Sequence, residues 1–238
     1  MAHTPFRKAL IWPAAACALG LSLQAQASVS TYQSLSSFLG GTASQVAPHL
    51  VDFETTPTSL STAAFTVTGV VGAGTPLRVT SNPYWTTSGT HFLGVTDRGN
   101  ADQLTSGDAI TFSFSKAVHA FGLYVVTTSD TQAGDLSLSA RGYSVSNGAL
   151  SQAIASGQGD YAYFLGLSAS TPAEGFTSIT LNSGTAGFYV FSVDDVRYSS
   201  LSAVPEPQGL ALALAGLGLM GFSGLLGMSG LSNSRRSR

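Results

Sequence analysis

Cysteine is nearly missing: the 238-residue chain has one, Cys17, and it lies in an apolar N-terminal stretch. The rest of the chain therefore holds no disulfide framework and no thiolate metal site. Charge is scarce too. Asp, Glu, Lys and Arg make up 9% of the residues, against about 25% in an average soluble domain. Bases are scarcest in the middle, where residues 28–200 hold eleven acids against five bases, a net charge of −6. Such a body has no basic stripe to displace counterions from phosphates, which argues against a nucleic acid partner. His49, His91 and His119 stand apart, without the paired spacing of a zinc site. No Gly-x-Ser-x-Gly elbow occurs, and scattered Ser, His and Asp do not make a triad. The chain reads as a non-enzyme. A secreted glycan hydrolase is the enzymatic alternative, because its acid pair needs only spatial proximity of roughly 5–10 Å.

What is present is ordered at the two ends. Arg7 and Lys8 precede an apolar run from Ala9 to Leu23, and Ala25-Gln26-Ala27 supplies a small-x-small box before Ser28. Positive region, apolar core and small-residue site are the parts of an export signal, so residues 1–27 are expected to be a signal helix and Ser28 the new N-terminus. An acylated Cys17 would call for a leucine three positions upstream, where Ala14 stands. At the other end, Gly209 to Leu231 carries no charge, and about 20 such residues cross a hydrocarbon core. A transmembrane helix is expected over about 209–231, with an arginine-rich tail, 232–238, beyond it. Its Arg235, Arg236 and Arg238 would stay on the cytoplasmic side. Residues 28–203 would then lie outside the inner membrane.

Just before the span, Pro205 and Pro207 lock φ and bias their neighbours toward extended backbone, the form a protease binds. Val204-Pro205-Glu206-Pro207, a single span and a terminal arginine cluster resemble, in that order, the PEP-CTERM sorting signal of Gram-negative, exopolysaccharide-producing bacteria. The resemblance covers 204–238. It implies recognition by an exosortase, cleavage near the motif, transient residence in the inner membrane, and delivery to the cell surface or extracellular matrix. A permanent one-pass anchor is the alternative.

Residues 28–203 alternate in short apolar runs, split by Gly, Ser, Thr, Asn and Asp. Ile110, Phe112 and Phe114 alternate with Thr111, Ser113 and Ser115, and Ala63, Phe65 and Val67 with Ala64, Thr66 and Thr68. Further strands are expected at Leu77–Thr80, Ala117–Val126, Leu136–Val145, Ala162–Ser168, Ser178–Leu181 and Phe188–Tyr198. The pattern predicts an all-β, antiparallel, jelly-roll-like β-sandwich. One helix is expected around Thr31–Gly40, and loops over Gly69–Pro76 and Asn82–Asp102.

Two sets of residues carry the candidate site. Val51-Asp52-Phe53-Glu54 opens the body and Phe191-Ser192-Val193-Asp194-Asp195-Val196 closes it. Strand alternation sends Asp194 and Asp195 to opposite faces, while adjacency of early and late strands would bring Asp52 or Glu54 near them. The bracket resembles carbohydrate-binding jelly rolls in which an early acid and a late Asp hold a structural calcium. That resemblance implies calcium on Glu54 and Asp195, with Asp52 and Asp194 as substitutes; strand capping or pairing with Arg197 is the alternative. The second set is Tyr84 and Trp85, followed by His91, Phe92 and Asp97-Arg98-Gly99-Asn100. Sugar C–H faces stack on aromatic rings beside polar loop groups, so Tyr84 and Trp85 are candidate glycan contacts; Trp85 equally suits packing over an open sandwich end. The expected function is binding of exopolysaccharide in the envelope or biofilm matrix. An inert coat protein is the alternative.

Overall fold

The computed structural model describes residues 28–43, 47–54, 65–70, 75–95, 102–155 and 160–199. Ala25, Ala27, Asp97–Asn100, the sorting residues Val204, Pro205, Glu206 and Pro207, the expected span, and Arg235, Arg236 and Arg238 lie outside them. Among the described residues no helix is long and apolar enough to cross a membrane.

The alternation seen in the sequence becomes burial. In β7 (Ala109–Val118), Ile110, Phe112 and Phe114 point inward at 7% exposure or less, while Ser113 and Ser115 are exposed. β7 pairs antiparallel with β3 (Phe65–Val70) and β13 (Phe176–Ser183), and β13 continues to β9 (Leu136–Ala140) and β10 (Tyr143–Ser146). The second sheet runs in the order β1 (Val29–Tyr32), β12 (Tyr161–Ala169), β8 (Ala120–Thr127), β14 (Val190–Ser199), β5 (His91–Val95) and β4 (Leu77–Ser81). β11 (Ile154–Ala155) pairs with β12, and β2 (His49–Val51) and β6 (Leu104–Thr105) pair with β14. One apolar cluster joins the two sheets: Phe112, Leu138 and Ile179 from the first meet Leu123, Leu165 and Val193 from the second.

The outer faces differ. That of the five-stranded sheet is a hydroxyl array, with Thr68 beside Thr111, Thr111 beside Thr180, and Thr180 beside Ser139 in register. That of the nine-stranded sheet is covered in part by α1 (Leu35–Gly41), which seats Phe38 on Phe164, with Ala120 in the same cluster. Ser34 caps α1, its hydroxyl accepting the Ser37 N–H.

Four local expectations are corrected. Residues 29–32 form β1 and the helix begins only at Leu35, because the Ser34 cap sits there. Gly69 and Val70 complete β3 rather than opening a loop. The run Ala117–Val126 turns at His119, and Leu136–Val145 turns at Arg141-Gly142, both of which have positive φ. Finally, Asn82–Asp102 is no continuous loop: Phe92, Leu93 and Val95 are fully buried in β5.

Candidate functional site

β14 does not keep its alternation. Its register against β8 shifts between Asp194 and Arg197, and Asp195 takes φ 49° in the left-handed region. A bulge of this kind turns an extra side chain onto a face it would otherwise leave. Asp194 and Asp195 therefore meet the same partner instead of splitting: the Thr87 hydroxyl reaches Asp194 Oδ2 at 3.0 Å and Asp195 Oδ2 at 3.1 Å. Val196 joins Val193 in the core.

The segment between β4 and β5 is held at two points. At the first, Asp194 Oδ2 also accepts the backbone N–H of Thr87 at 2.7 Å and of Ser88 at 3.1 Å, while the Ser88 hydroxyl donates to Asp195 Oδ1 at 2.9 Å. Asp194 Oδ1 takes the Asp195 N–H at 2.7 Å. Asp194 is fully buried. That burial, with the charge of Asp195, pushes its carboxyl up to about 6, although the backbone donors pull the other way. At the second point, Glu54 Oε1 accepts the N–H groups of Thr90 and His91 at 2.6 and 2.5 Å, and Oε2 lies 2.9 Å from His91 Nδ1. Desolvation raises the Glu54 carboxyl, but these bonds outweigh it and hold it below its ordinary value. Asp52 Oδ1 accepts the Glu54 N–H, and Phe53 between them has φ 61° and is buried.

The acids and the aromatics are thus parts of one site. Tyr84 and Trp85 ride on the segment the acids hold, which closes on itself through Asn82 N–H to Thr90 O at 2.8 Å. The Ser192 hydroxyl binds the Trp85 carbonyl at 2.6 Å. Trp85 is half-buried, and Tyr84 is 51% exposed.

The four acids do not gather at one point: Asp194 and Asp195 meet at Thr87, and Glu54 lies at Thr90 and His91. Calcium needs six to eight oxygen lone pairs, whereas the oxygens of Asp194 and Glu54 face N–H groups that have none to give. Among the described residues no group of three or more acids, histidines or cysteines gathers as a metal set.

No family model and no curated protein matches this chain. Among solved structures, the K2 cleaved adhesin domain of Lys-gingipain (Kgp) overlaps 64% of this chain and 98% of that chain, with a TM-score of 0.42 and 10% identity. A likeness that slight carries neither fold nor function across.

Thr87, Ser88, Thr90 and Ser192 were not legible as site residues. The only signal for them is the run Thr86-Thr87-Ser88-Gly89-Thr90, a hydroxyl-rich turn of the kind an acid can cap. His91, isolated in sequence, gains its partner through the fold; His49 stacks on Tyr198, and His119 is buried.

Proposed function

We propose that this chain is an exported envelope protein, sorted by an exosortase through Val204-Pro205-Glu206-Pro207, whose non-catalytic jelly-roll domain binds exopolysaccharide. The observation that carries the binding part is the clasped segment. Two buried or half-buried acidic anchors hold a short turn rigid, and the turn displays Tyr84 to solvent. A rigid aromatic meets a sugar face at small entropic cost.

The strand order supports the jelly-roll part. Taken in chain order, eight strands lie as β5-β14-β8-β12 and β7-β13-β9-β10, the arrangement of two interlocked Greek keys. The hydrolase reading is disfavoured because Asp194, the acid pushed furthest toward protonation, is sealed from any substrate. The inert-coat reading has one observation in its favour, the hydroxyl-rich face of the five-stranded sheet.

Retention of the exported protein on the host's own exopolysaccharide tests the reading. Binding is expected, unaltered by a calcium chelator and weakened about tenfold, roughly 1.4 kcal/mol, by Tyr84→Ala. No retention of the wild type would favour the inert coat, and loss on chelation would restore calcium to the site.

A further inference from the structure

The outer face of the nine-stranded sheet is roofed at two places; on β8 between them Gly122 and Val126 are buried and Tyr124 is half-buried. On one side α1 packs on β12 through Phe38 and Phe164. On the other, the clasped 85–88 turn lies over β14, because Ser192 and Asp194, which anchor it, sit opposite Val126 and Tyr124 on that face. β8 runs between them and keeps the floor low. Gly122 leaves room for the Phe164 ring, which a Cβ there would meet at 2.5 Å. A trough results, and its α1 end opens into a cavity of about 440 Å³ whose lining includes Tyr124, Phe164, Leu35, Ser34 and Ile154. Tyr124 stands edge-on to Phe164, with ring centroids 5.3 Å apart.

Arg197 is the unused group here. It lies opposite Gly122 on the same face, half-buried. Among the described residues no acceptor meets its guanidinium, and its Nε is buried without a partner. Arg197 and Asp195 both act electrostatically on the Tyr124 phenol, so the three share one neighbourhood. A donor-only group, an acceptor-only group and a hydroxyl that does both therefore border an aromatic floor.

We propose that this trough is a sugar subsite, taking a neutral hexose unit of a polysaccharide with its C–H face on Tyr124 and vicinal hydroxyls on the Arg197 guanidinium. Neutrality follows from charge. A body of net charge −6 repels a polyanion at long range, whereas hydroxyls satisfy donor and acceptor alike. The planar fork of Arg197 matches two adjacent hydroxyls in a way a lysine does not. The assignment rests on the polysaccharide reading above and adds a second contact, in the trough, to that of the exposed Tyr84.

The test is binding of the full chain to an array of neutral and uronate-containing polysaccharides, with Tyr84→Ala, Tyr124→Ala, Tyr124→Phe, Arg197→Lys and Arg197→Met compared. Arg197 meets no hydrogen-bond acceptor among the described residues, so its variants are expected to melt close to the wild type, and a melting curve for each separates loss of binding from loss of fold. Expected is retention of neutral polymers, cut tenfold or more by Tyr124→Ala and by both Arg197 variants, and less by Tyr124→Phe. Neutral binding that survives Tyr124→Ala and Arg197→Met overturns the trough and leaves the polysaccharide reading standing. Binding confined to uronate polymers overturns the neutral assignment. A wild type that binds nothing on the array overturns both.

Discussion

Asp194 holds a carboxylate where no solvent reaches it, and three backbone N–H groups depend on it. Asp194→Ala strands those donors. With about 1–3 kcal/mol for each buried group left unpaired, and some relaxation of the turn, a loss of roughly 3 kcal/mol is expected in urea unfolding. The same residue sets a pH response. Its folded value of about 6 stands above its ordinary 3.8, so between those pH values the folded state holds a proton that the unfolded chain has lost. Its contribution to stability is therefore full below about pH 4 and lost as pH rises through 6. Carboxyl carbon NMR should place its midpoint near 6, and a midpoint below 4 would reject the argument. Glu54 responds oppositely: its value is lowered, so its clasp is present at neutral pH and lost in acid. Gly89 serves the Glu54 clasp. It has φ 59°, and a Cβ there would run into the Glu54 carboxylate. Gly89→Ala should cost about 1–2 kcal/mol from left-handed strain alone, and an unchanged urea midpoint would show that the clasp tolerates displacement.

Among the elements, α1 is the one most dependent on packing. Seven residues are too few for a helix to persist by propensity; what holds it is Phe38, fully buried between Tyr32 and Phe164. Phe38→Ala should cost about 3–5 kcal/mol by the usual price of a buried aromatic, with the largest gain in amide exchange in α1 rather than in β7. Uniform exchange across both would mean that the helix and sandwich unfold as one unit. β14 shows the other side of element-level reasoning. Its period of two was plain in the sequence, yet one bulge at Asp195 reversed the prediction for its acidic pair. Nothing local marks that bulge: Asp is tolerated in the left-handed region, but the residue at that position does not demand it. β5 was misread for a different reason. Turn residues on both sides of Phe92-Leu93-Gly94-Val95 outweighed a four-residue apolar run, whose strand character comes from β14 and β4 on its flanks.

At the scale of the whole molecule, the two sheets have different outer faces. One is an array of hydroxyls in register. The other is built up by α1 and the clasped turn into relief, where the acids, the aromatics and Arg197 converge. Delivery is the further whole-chain matter. If the terminal signal is read by an exosortase, replacing Pro205, Glu206 and Pro207 by alanine should leave uncleaved protein in the inner membrane on immunoblots of fractionated cells. Processing that continues unchanged would reject the sorting assignment.

The all-β class and the approximate places of most long strands were legible in the sequence alone, because period-two alternation and turn residues act through near neighbours. The site was legible only as two separate lists, acids and aromatics. That they form one structure was decided in three dimensions: a register shift in β14 turned Asp195 beside Asp194, the β2 pairing on β14 brought Glu54 to the start of β5, and the sheet order set β8 as the floor between two roofs. Those outcomes depend on contacts between residues distant in sequence, such as Tyr124 with Asp194 and Val51 with Val196, and no local pattern carries such contacts.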